Sequence, residues 1–505
     1  MSTFKVSSFF RTIQSFFLNL FDSEGTLSQK AVRGGFWVFM LRVISRIFSF
    51  VRTVVLARLL APEDFGLFGI ALLTLSILEA FSQTGFDKAL IQRSEDIRTY
   101  LDTAWTIQLF RGVLLYFVLF LLAPSIGLFF NNAESVRLIR IVGIALLLTG
   151  INNIGVVYFQ KELEFKKEFT YQFGHIFADF SVSIISALLF KDAWALAYGF
   201  VAGNFVRVII SYKIIDYHPR FLLDKNKFKK LFRYGKWISL STILSFLITE
   251  GDDIFVGRLL SVSSLGLYQL AYKISNIPTT EITHVVSQIS FPTYSKIQKE
   301  KSLLKSVYLN VLKLTAVLSF PLAGLIFILA PEFVNLFLGE NWIEINPIIQ
   351  ILVIWGLIRS IGATTGPLFR AVDRPDLIAK LQFSKAVLLG LLIYPMIKMW
   401  GLIGVSWVVV INSIIVNLAA NWKAIKVIQC DVYEYVKQIL FPIIATLIMI
   451  IIILLVKSII IFDFFVLLVL ALIGFIAYWS MISLFEKLFN YDALFYIRTK
   501  LLSLV

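Results

Sequence analysis

The feature of this sequence that most constrains its fold is a series of apolar stretches, each about 20 residues long, that recurs along almost the whole chain. A helix that crosses a bilayer needs roughly 20 consecutive, mostly apolar residues. Charged residues make up only 16% of the 505 residues, whereas about a quarter of an ordinary soluble protein is charged. A soluble core stops growing beyond about 250–300 residues and could not bury this much apolar surface. The chain is therefore predicted to be an all-α integral membrane protein.

The apolar stretches predict about fourteen transmembrane spans. These are residues 36–58, 65–87, 104–126, 136–158, 169–190, 193–214, 237–259, 264–289, 306–330, 346–369, 377–397, 401–422, 436–456 and 463–485. Residues 1–28 are amphipathic and lack a cleavage site, which is typical of a helix that lies in the membrane interface and not of a signal peptide.

The distribution of Lys and Arg predicts the orientation of the spans. Basic residues concentrate in every second loop, and the longest such loop is 218–236. The positive-inside rule places these loops in the cytoplasm, so both termini are predicted to be cytoplasmic. The net charge of +15 is then a property of short loops, and nucleic-acid binding is not expected.

A sequence repeat divides the chain into two halves. Residues 54–71, VVLARLLAPEDFGLFGIA, are similar to residues 254–271, IFVGRLLSVSSLGLYQLA. Six spans in each copy give both copies the same orientation, so we expect a parallel repeat with its pseudo-two-fold axis along the membrane normal. The predicted organisation is an interfacial segment (1–28), an N-lobe of six spans (29–215), a basic linker (216–236), a C-lobe of six spans (237–424), and spans 13 and 14 with the C-terminus (425–505).

Charged residues inside the predicted spans point to a polar cavity. An ionisable side chain at mid-membrane costs roughly 2.5–3.5 kcal/mol, so it normally faces a cavity or a partner. In span 1, Arg42, Ser45, Arg46, Ser49 and Arg52 fall on one face of the helix, and the other face is apolar. This cationic stripe is predicted to line the cleft between the lobes.

Spans 7 and 8 carry a second set of polar residues, each set on one helix face. The predicted substrate-binding residues there are Thr242, Ser245, Thr249, Gln269, Lys273, Asn276 and His284. The acids Glu79, Asp252, Asp253 and Glu281 are candidates for ion coupling. For Arg111, Arg207 and Lys385, a structural ion pair or a head group that reaches the membrane surface is the simpler interpretation.

The chemistry of these residues favours an anionic, sugar-bearing cargo. Arginine binds phosphate and carboxylate groups through charge and bidentate hydrogen bonds, and hydroxyl and amide side chains suit sugar hydroxyls. With one cysteine and three histidines, and without a CxxC or HExxH spacing, neither a metal site nor a cofactor is predicted. If transport is coupled, a proton or sodium gradient would supply the energy.

Residues 34–92, which begin GGFWVFMLRV and end GFDKALIQ, resemble the Wzx-type polysaccharide transporters. These belong to the MOP superfamily, which also contains the MATE exporters and the lipid II flippases. The resemblance implies a V-shaped pair of helical bundles in the bacterial inner membrane. It also implies an undecaprenyl-diphosphate-linked oligosaccharide as cargo, its polyprenyl chain kept in the membrane lipid, and a polysaccharide polymerase with chain-length machinery as partners.

Three alternatives differ in the cavity or loops that they require. A MATE-like exporter of small cations would have an acidic N-terminal cavity, contrary to the three arginines of span 1. A lipid II flippase would share the mechanism and differ in cargo. A membrane polymerase or ligase would need a substantial outer loop for its catalytic residues, and no predicted outer loop much exceeds about 20 residues. We therefore predict a transporter and not an enzyme.

Overall fold

The computed structural model describes residues 27–92, 96–459, 464–489 and 491–492. Within these residues every regular element is a helix, as the apolar periodicity predicts. Nearly all of the predicted interfacial segment 1–28 lies outside the described residues. The side chains of Glu281 and His284 also lie outside what the structure describes, although both residues belong to a described helix.

The helices of the first half, in chain order, are α1 (Leu27–Leu59), α2 (Pro62–Ser82), α3 (Phe86–Gln92), α4 (Arg98–Phe129), α5 (Glu134–Ile151), α6 (Val157–Lys161), α7 (Phe165–Phe190) and α8 (Trp194–Ile214). Those of the second half are α9 (Lys225–Thr249), α10 (Gly251–Leu259), α11 (Val262–Ser275), α12 (Ile277–Ile297), α13 (Lys301–Phe333), α14 (Asn346–Gly362), α15 (Thr365–Ala371), α16 (Pro375–Ile428), α17 (Val432–Lys457) and α18 (Phe464–Phe489).

Nine helical segments in the described part of the chain are long and apolar enough to cross a membrane, and α5 with the segment Ile154–Lys161, bent by 72°, makes a tenth. One of the nine, α16, is 54 residues long and covers predicted spans 11 and 12. Its two halves meet at Gly401, whose φ of 55° lies in the left-handed region that favours glycine. The helices at predicted spans 1, 7 and 8 are more polar or shorter, so the number fourteen stays a prediction.

Predicted spans 7 and 8 are each broken in the structure. Span 7 becomes α9 and α10, which meet at Glu250, and span 8 becomes α11 and α12, which meet at Asn276. Gly251 and Pro278 stand next to these breaks, and both residue types weaken a helix interior. The helix-face argument therefore holds only within each piece.

The chain forms two compact units. The first unit contains the described residues up to Leu60 together with Thr74–Leu128 and Asn132–Leu244. The second unit contains Ala61–Leu73, Phe129–Asn131 and the described residues from Ser245 onward. The predicted lobes 29–215 and 237–424 follow the repeat, whereas these units follow physical contact, so the start of α2 belongs to the second unit.

In the first unit, α1 packs along α7 through aromatic side chains. The ring of Phe48 lies 5.8 Å from that of Phe173 and 4.8 Å from that of Phe180. At Gly34 an added Cβ would lie 2.3 Å from the ring of Phe165, so glycine lets the two helices approach there. Interlocking rings exclude lipid and fix the register of α1 on α7.

In the second unit, α13, α17 and α18 share an apolar core. Tyr478 is fully buried in it, and its hydroxyl donates to the carbonyl of Val317 at 2.9 Å. Gly324 of α13 lies against Thr446 and Met449 of α17. Small residues at such crossings let helices pack closely where lipid supplies no hydrophobic drive.

The two copies of the repeat contact each other reciprocally within the second unit. An added Cβ at Gly66 would lie 1.8 Å from the carbonyl oxygen of Val262, and one at Gly266 would lie 2.0 Å from the carbonyl oxygen of Pro62. Position 66 thus lies against position 262, and its repeat counterpart, position 266, lies against position 62. This reciprocity is the pattern that a two-fold axis produces.

Candidate functional site

The structure pairs one arginine of the span 1 stripe with an acid of the same unit. Arg52 Nη2 lies 2.9 Å from Asp179 Oδ1, and its Nε and Nη2 donate to Ser183 Oγ at 3.1 and 3.0 Å. The two charged side chains are only 18% and 21% exposed. Arg52 therefore holds α1 against α7. Sequence reasoning placed Asp179 inside a span but did not pair it with Arg52.

The rest of the stripe is less enclosed. Arg46 is exposed, and Arg42, Ser45 and Ser49 are half-buried. The Ser45 hydroxyl donates to the carbonyl of Leu41 at 2.6 Å, within its own helix, and keeps its lone pairs for a further donor. Binding of cargo by these four residues stays a prediction.

Glu79, a predicted coupling acid, lies beside Arg111 in the first unit. Arg111 donates to Ser82 Oγ from Nε at 3.2 Å and from Nη2 at 3.0 Å, and Nη2 lies 3.4 Å from the carbonyl oxygen of Glu79. This contact agrees with the structural interpretation of Arg111. Arg207 lines a cavity of about 240 Å³ in the same unit, together with Asp87 and Glu168, so its charge faces two acids.

The two acids of span 7 are buried in the second unit, and each has its own partner. Asp252 is 4% exposed and accepts a hydrogen bond from the Tyr268 hydroxyl at 2.6 Å. Asp253 is 6% exposed and accepts from Gln269 Nε2 at 2.9 Å. The contact of Asp253 with Gln269 joins two predicted site residues, one from span 7 and one from span 8.

A cavity of about 260 Å³ in the second unit brings three predicted residues together. Ser245, Thr249 and Asp252 line one part of its wall, and Arg359 and Lys385 line another. The remaining lining residues are Ile248, Tyr272, Trp355, Gln382, Leu389, Val409 and Asn412. The sequence analysis missed Arg359 as a site residue and gave Lys385 a structural role.

Arg359, Gln382 and Lys385 of this wall also line a second cavity of about 470 Å³. Its wall is formed by α12, α14, α15 and α16. The other lining residues are Thr283, Ser287, Gly362, Ala363, Thr365, Gly366, Pro367, Phe369, Arg370, Ile378, Leu381, Val416, Asn417 and Ala420. No acid occurs among the described side chains that line this larger cavity.

The remaining predicted site residues are spread along the second unit. Thr242 is half-buried and Lys273 is exposed. Asn276, at the break between α11 and α12, has its side-chain oxygen 3.5 Å from Arg359 Nη1. Asn276 is therefore the predicted residue that connects the polar face of span 8 to the two cavities. No group of three His, Cys, Asp or Glu side chains suited to a metal ion occurs among the described residues.

Outside the membrane-spanning helices, Cys430 lies in the turn between α16 and α17. Burial raises the pKa of its thiol to about 11, and the neighbouring Glu434 carboxylate, which accepts from Sγ at 3.3 Å, adds to the rise. Glu434 also forms an ion pair with Lys305. A thiol that stays protonated at neutral pH is a poor nucleophile, so Cys430 has the environment of a structural residue.

Comparison with known proteins gives consistent matches. Residues 55–347 match the family model described as polysaccharide biosynthesis protein. The chain is 26% identical over 427 residues to the lipopolysaccharide biosynthesis protein WzxC of Escherichia coli (strain K12), which covers 84% of this chain and 86% of that protein. It is 28% identical over 364 residues to the teichuronic acid biosynthesis protein TuaB of Bacillus subtilis (strain 168), covering 72% and 75%.

The fold is similar to that of the lipid II flippase MurJ in its inward closed conformation. The TM-score is 0.73 at 18% sequence identity, over 89% of this chain and 98% of that one. At this identity the likeness shows the fold alone. The helical architecture, the many apolar spans and this likeness of fold together confirm the predicted all-α, multi-pass membrane protein. Because the family model covers more than half of its length, the chain belongs to the polysaccharide biosynthesis protein family.

Proposed function

We propose that this protein is a flippase that moves a polyprenyl-diphosphate-linked oligosaccharide from the inner to the outer leaflet of the bacterial cytoplasmic membrane by alternating access. Both termini would be cytoplasmic, as the loop charges indicate. The observation that carries the proposal is the presence of cations, hydroxyls and amides on the helices of a multi-pass membrane fold shared with a lipid II flippase.

The physical argument concerns the head group of such a lipid. A diphosphate and its sugars cannot cross hydrocarbon unaided, because polar and charged groups cost several kcal/mol there. The exposed guanidinium of Arg46, with Arg42 beside it, offers charge to the diphosphate or to acidic sugars. Ser49, Ser245 and Thr249 offer hydroxyls to the sugar rings. The polyprenyl chain would stay in the bilayer.

Two predicted roles change with the geometry. Arg52 is bound to Asp179 and Ser183, so we assign it a positioning role. Arg42 and Arg46 keep the cargo-binding role that the sequence predicts for them. The buried Asp252 and Asp253 remain the candidates for coupling to a proton or sodium gradient. Hand-over of the translocated unit to a polysaccharide polymerase and its chain-length machinery belongs to the same proposal.

The test is an analysis of lipid-linked oligosaccharides in a strain that lacks the gene, beside the wild type. We expect a completed polyprenyl-diphosphate repeat unit to accumulate at least 10-fold and the corresponding surface polymer to disappear, because translocation is blocked after synthesis. Extraction followed by mass spectrometry measures both. Complementation with the wild-type gene should restore the surface polymer and is the control for a direct effect. Complementation with Arg46→Ala at equal membrane levels should restore less of it.

An unchanged lipid-linked pool with intact surface polymer would contradict the proposal. If the same strain became sensitive to cationic drugs, a MATE-like exporter would take its place. If the gene rescued a strain depleted of its lipid II flippase, the cargo would be lipid II and the mechanism would stand.

A further inference from the structure

The larger cavity of the second unit is unusual in the charge of its wall. Arg359, Arg370 and Lys385 line the 470 Å³ space, and among the side chains that the structure describes no acid lines it. The uncharged polar lining consists of hydroxyls and amides from Thr283, Ser287, Thr365, Gln382 and Asn417. The volume lies within the usual range of small-ligand pockets, about 300–1,000 Å³. Three cations around one space repel each other, and an anion bound between them would offset this repulsion.

Arg359 and Lys385 have no carboxylate within ion-pair distance among the described residues of the chain. Arg359 lies 3.5 Å from the amide oxygen of Asn276 and stacks on the ring of Trp355 at 5.3 Å. Both side chains are half-buried. By contrast, the half-buried Lys457 of the same unit has a carboxylate partner, since its Nζ lies 2.5 Å from Glu332 Oε1.

Arg370 is the exposed member of the three cations that line the cavity. It lies near the end of α15 and stacks on Phe291 at 5.5 Å. Its Nε is 3.4 Å from the carbonyl oxygen of Gly366. Arg359 and Lys385 are half-buried and line the same cavity. Both also line the smaller cavity beside Asp252.

We propose that this cavity is a binding site for a phosphate-class anion, a phosphate or diphosphate group held by Arg359, Lys385 and Arg370. Guanidinium groups bind phosphate oxygens bidentately, and the ammonium of Lys385 adds a point charge. The hydroxyls of Thr283 and Ser287 supply neutral donors, whereas that of Thr365 donates to the carbonyl of Gly362 at 2.7 Å. The inference rests on the charge of the cavity and does not require the proposed transport function.

The test measures the dissociation constant of labelled inorganic diphosphate for the full-length protein in nanodiscs made of neutral lipid. We expect saturable binding, and we expect Lys385→Met to weaken it at least 10-fold, because one charge-assisted contact in a half-buried site is lost. Lys380→Met is the matched control. Lys380 lies on the same helix, pairs with Asp376 at 3.4 Å and does not line the cavity.

Asp252→Asn separates an anion site from a cation site. Asp252 shares the smaller cavity with Lys385, so removing its charge should leave diphosphate binding equal or tighter. A cation site would respond in the opposite way. Arg359→Lys supplements Lys385→Met, because it keeps the charge and removes the bidentate geometry, and a several-fold weakening is expected.

A second arm compares inorganic diphosphate with a short polyprenyl diphosphate incorporated in the nanodisc. Binding of the lipid at least 10-fold more tightly would identify a lipid head group as the source, and equal binding would identify a free anion. Both results support the site. The proposal is overturned if diphosphate does not bind, if Lys385→Met binds as well as Lys380→Met, or if Asp252→Asn abolishes binding. None of these results depends on export in cells, so the proposed function can stand or fall separately.

Discussion

Two intramembrane cation sites, one in each unit, differ in the groups that surround the charge. In the first unit Arg52 is bound to Asp179 and Ser183, and its charge joins two helices. In the second unit Arg359 and Lys385 line two cavities, and their polar and aromatic neighbours among the described residues include an amide, an indole ring and an acid of the smaller cavity. A charge inside a membrane protein can thus form a structural ion pair or line a binding site, and the residues next to it distinguish the two. The residue type alone does not.

The largest expected effect comes from removing the ion pair between Arg52 and Asp179. Asp179→Asn leaves Arg52 without its carboxylate, and removing one partner of a buried pair typically costs about 3–5 kcal/mol. Because both side chains keep some exposure, we expect the lower end, about 3 kcal/mol. Thermal unfolding of the purified protein in detergent measures the loss.

The double variant Arg52→Gln with Asp179→Asn is the control for this prediction. It removes both charges and should recover a large part of the lost stability. If the single and double variants were equally unstable, the ion pair would not be what holds α1 against α7.

A middle-sized effect tests whether the second unit depends on close packing and not on its cations. Gly266→Ala places a Cβ 2.0 Å from the carbonyl oxygen of Pro62, and overpacking of this kind costs about 1–3 kcal/mol. Gly390→Ala is the matched control, because nothing lies within 4 Å of an added Cβ there. We expect Gly390→Ala to be neutral or slightly stabilising in the same unfolding measurement.

Lys385→Met extends this comparison. Lys385 has no ion-pair partner among the described residues, so its replacement should cost less stability than Gly266→Ala. A Lys385→Met protein that unfolds earlier than the Gly266→Ala protein would mean that the charges of the second unit are structural too.

The smallest effect concerns the turn between α16 and α17 and leaves the fold intact. With a thiol pKa of about 11, Cys430 holds far less thiolate at pH 8 than an ordinary cysteine with a pKa of about 8.5. The greater nucleophilicity of a more basic thiolate offsets part of this difference. We expect alkylation by iodoacetamide to be roughly 20-fold slower in the native protein than in the unfolded chain. Mass spectrometry of the labelled peptide over time gives the rates.

Glu434→Gln sharpens this measurement. Loss of the carboxylate removes one of the causes that raise the pKa of the Cys430 thiol, so alkylation at pH 8 should become faster. Asp376→Asn, an exposed acid at another helix start, should not change the rate. Equal rates in all three proteins would remove Glu434 from the explanation and leave burial alone.

The sequence predicted the helical membrane architecture because the length of each apolar stretch can be read directly from it. That length decides whether a helix can span the bilayer. It also predicted that residues 54–71 and 254–271 are related, and the reciprocal glycine contact agrees with that relation. It did not predict the breaks at Glu250 and Asn276, because helix-face reasoning assumes one continuous helix. Gly251 and Pro278 were the available signals.

The candidate site was predictable only in part. Ser245, Thr249 and Asp252 do share a cavity, because they are close in sequence on the two sides of the break at Glu250. Arg359 and Lys385 join them from α14 and α16, which are distant in sequence, and periodicity carries no information on such contacts. The pairing of Arg52 with Asp179 escaped for the same reason, although two opposite charges in separate spans were a visible hint.

The glycine contact of the second unit limits how the protein can evolve. When two side chains touch, a larger residue on one side can be offset by a smaller one on the other. At Gly66 and Gly266 the opposing atom is a backbone carbonyl oxygen, which every amino acid carries, so no substitution of the partner makes room. The five residues before each glycine, APEDF and SVSSL, have diverged completely between the copies, yet both glycines remain. A position that cannot be compensated keeps its residue long after the surrounding sequence has changed.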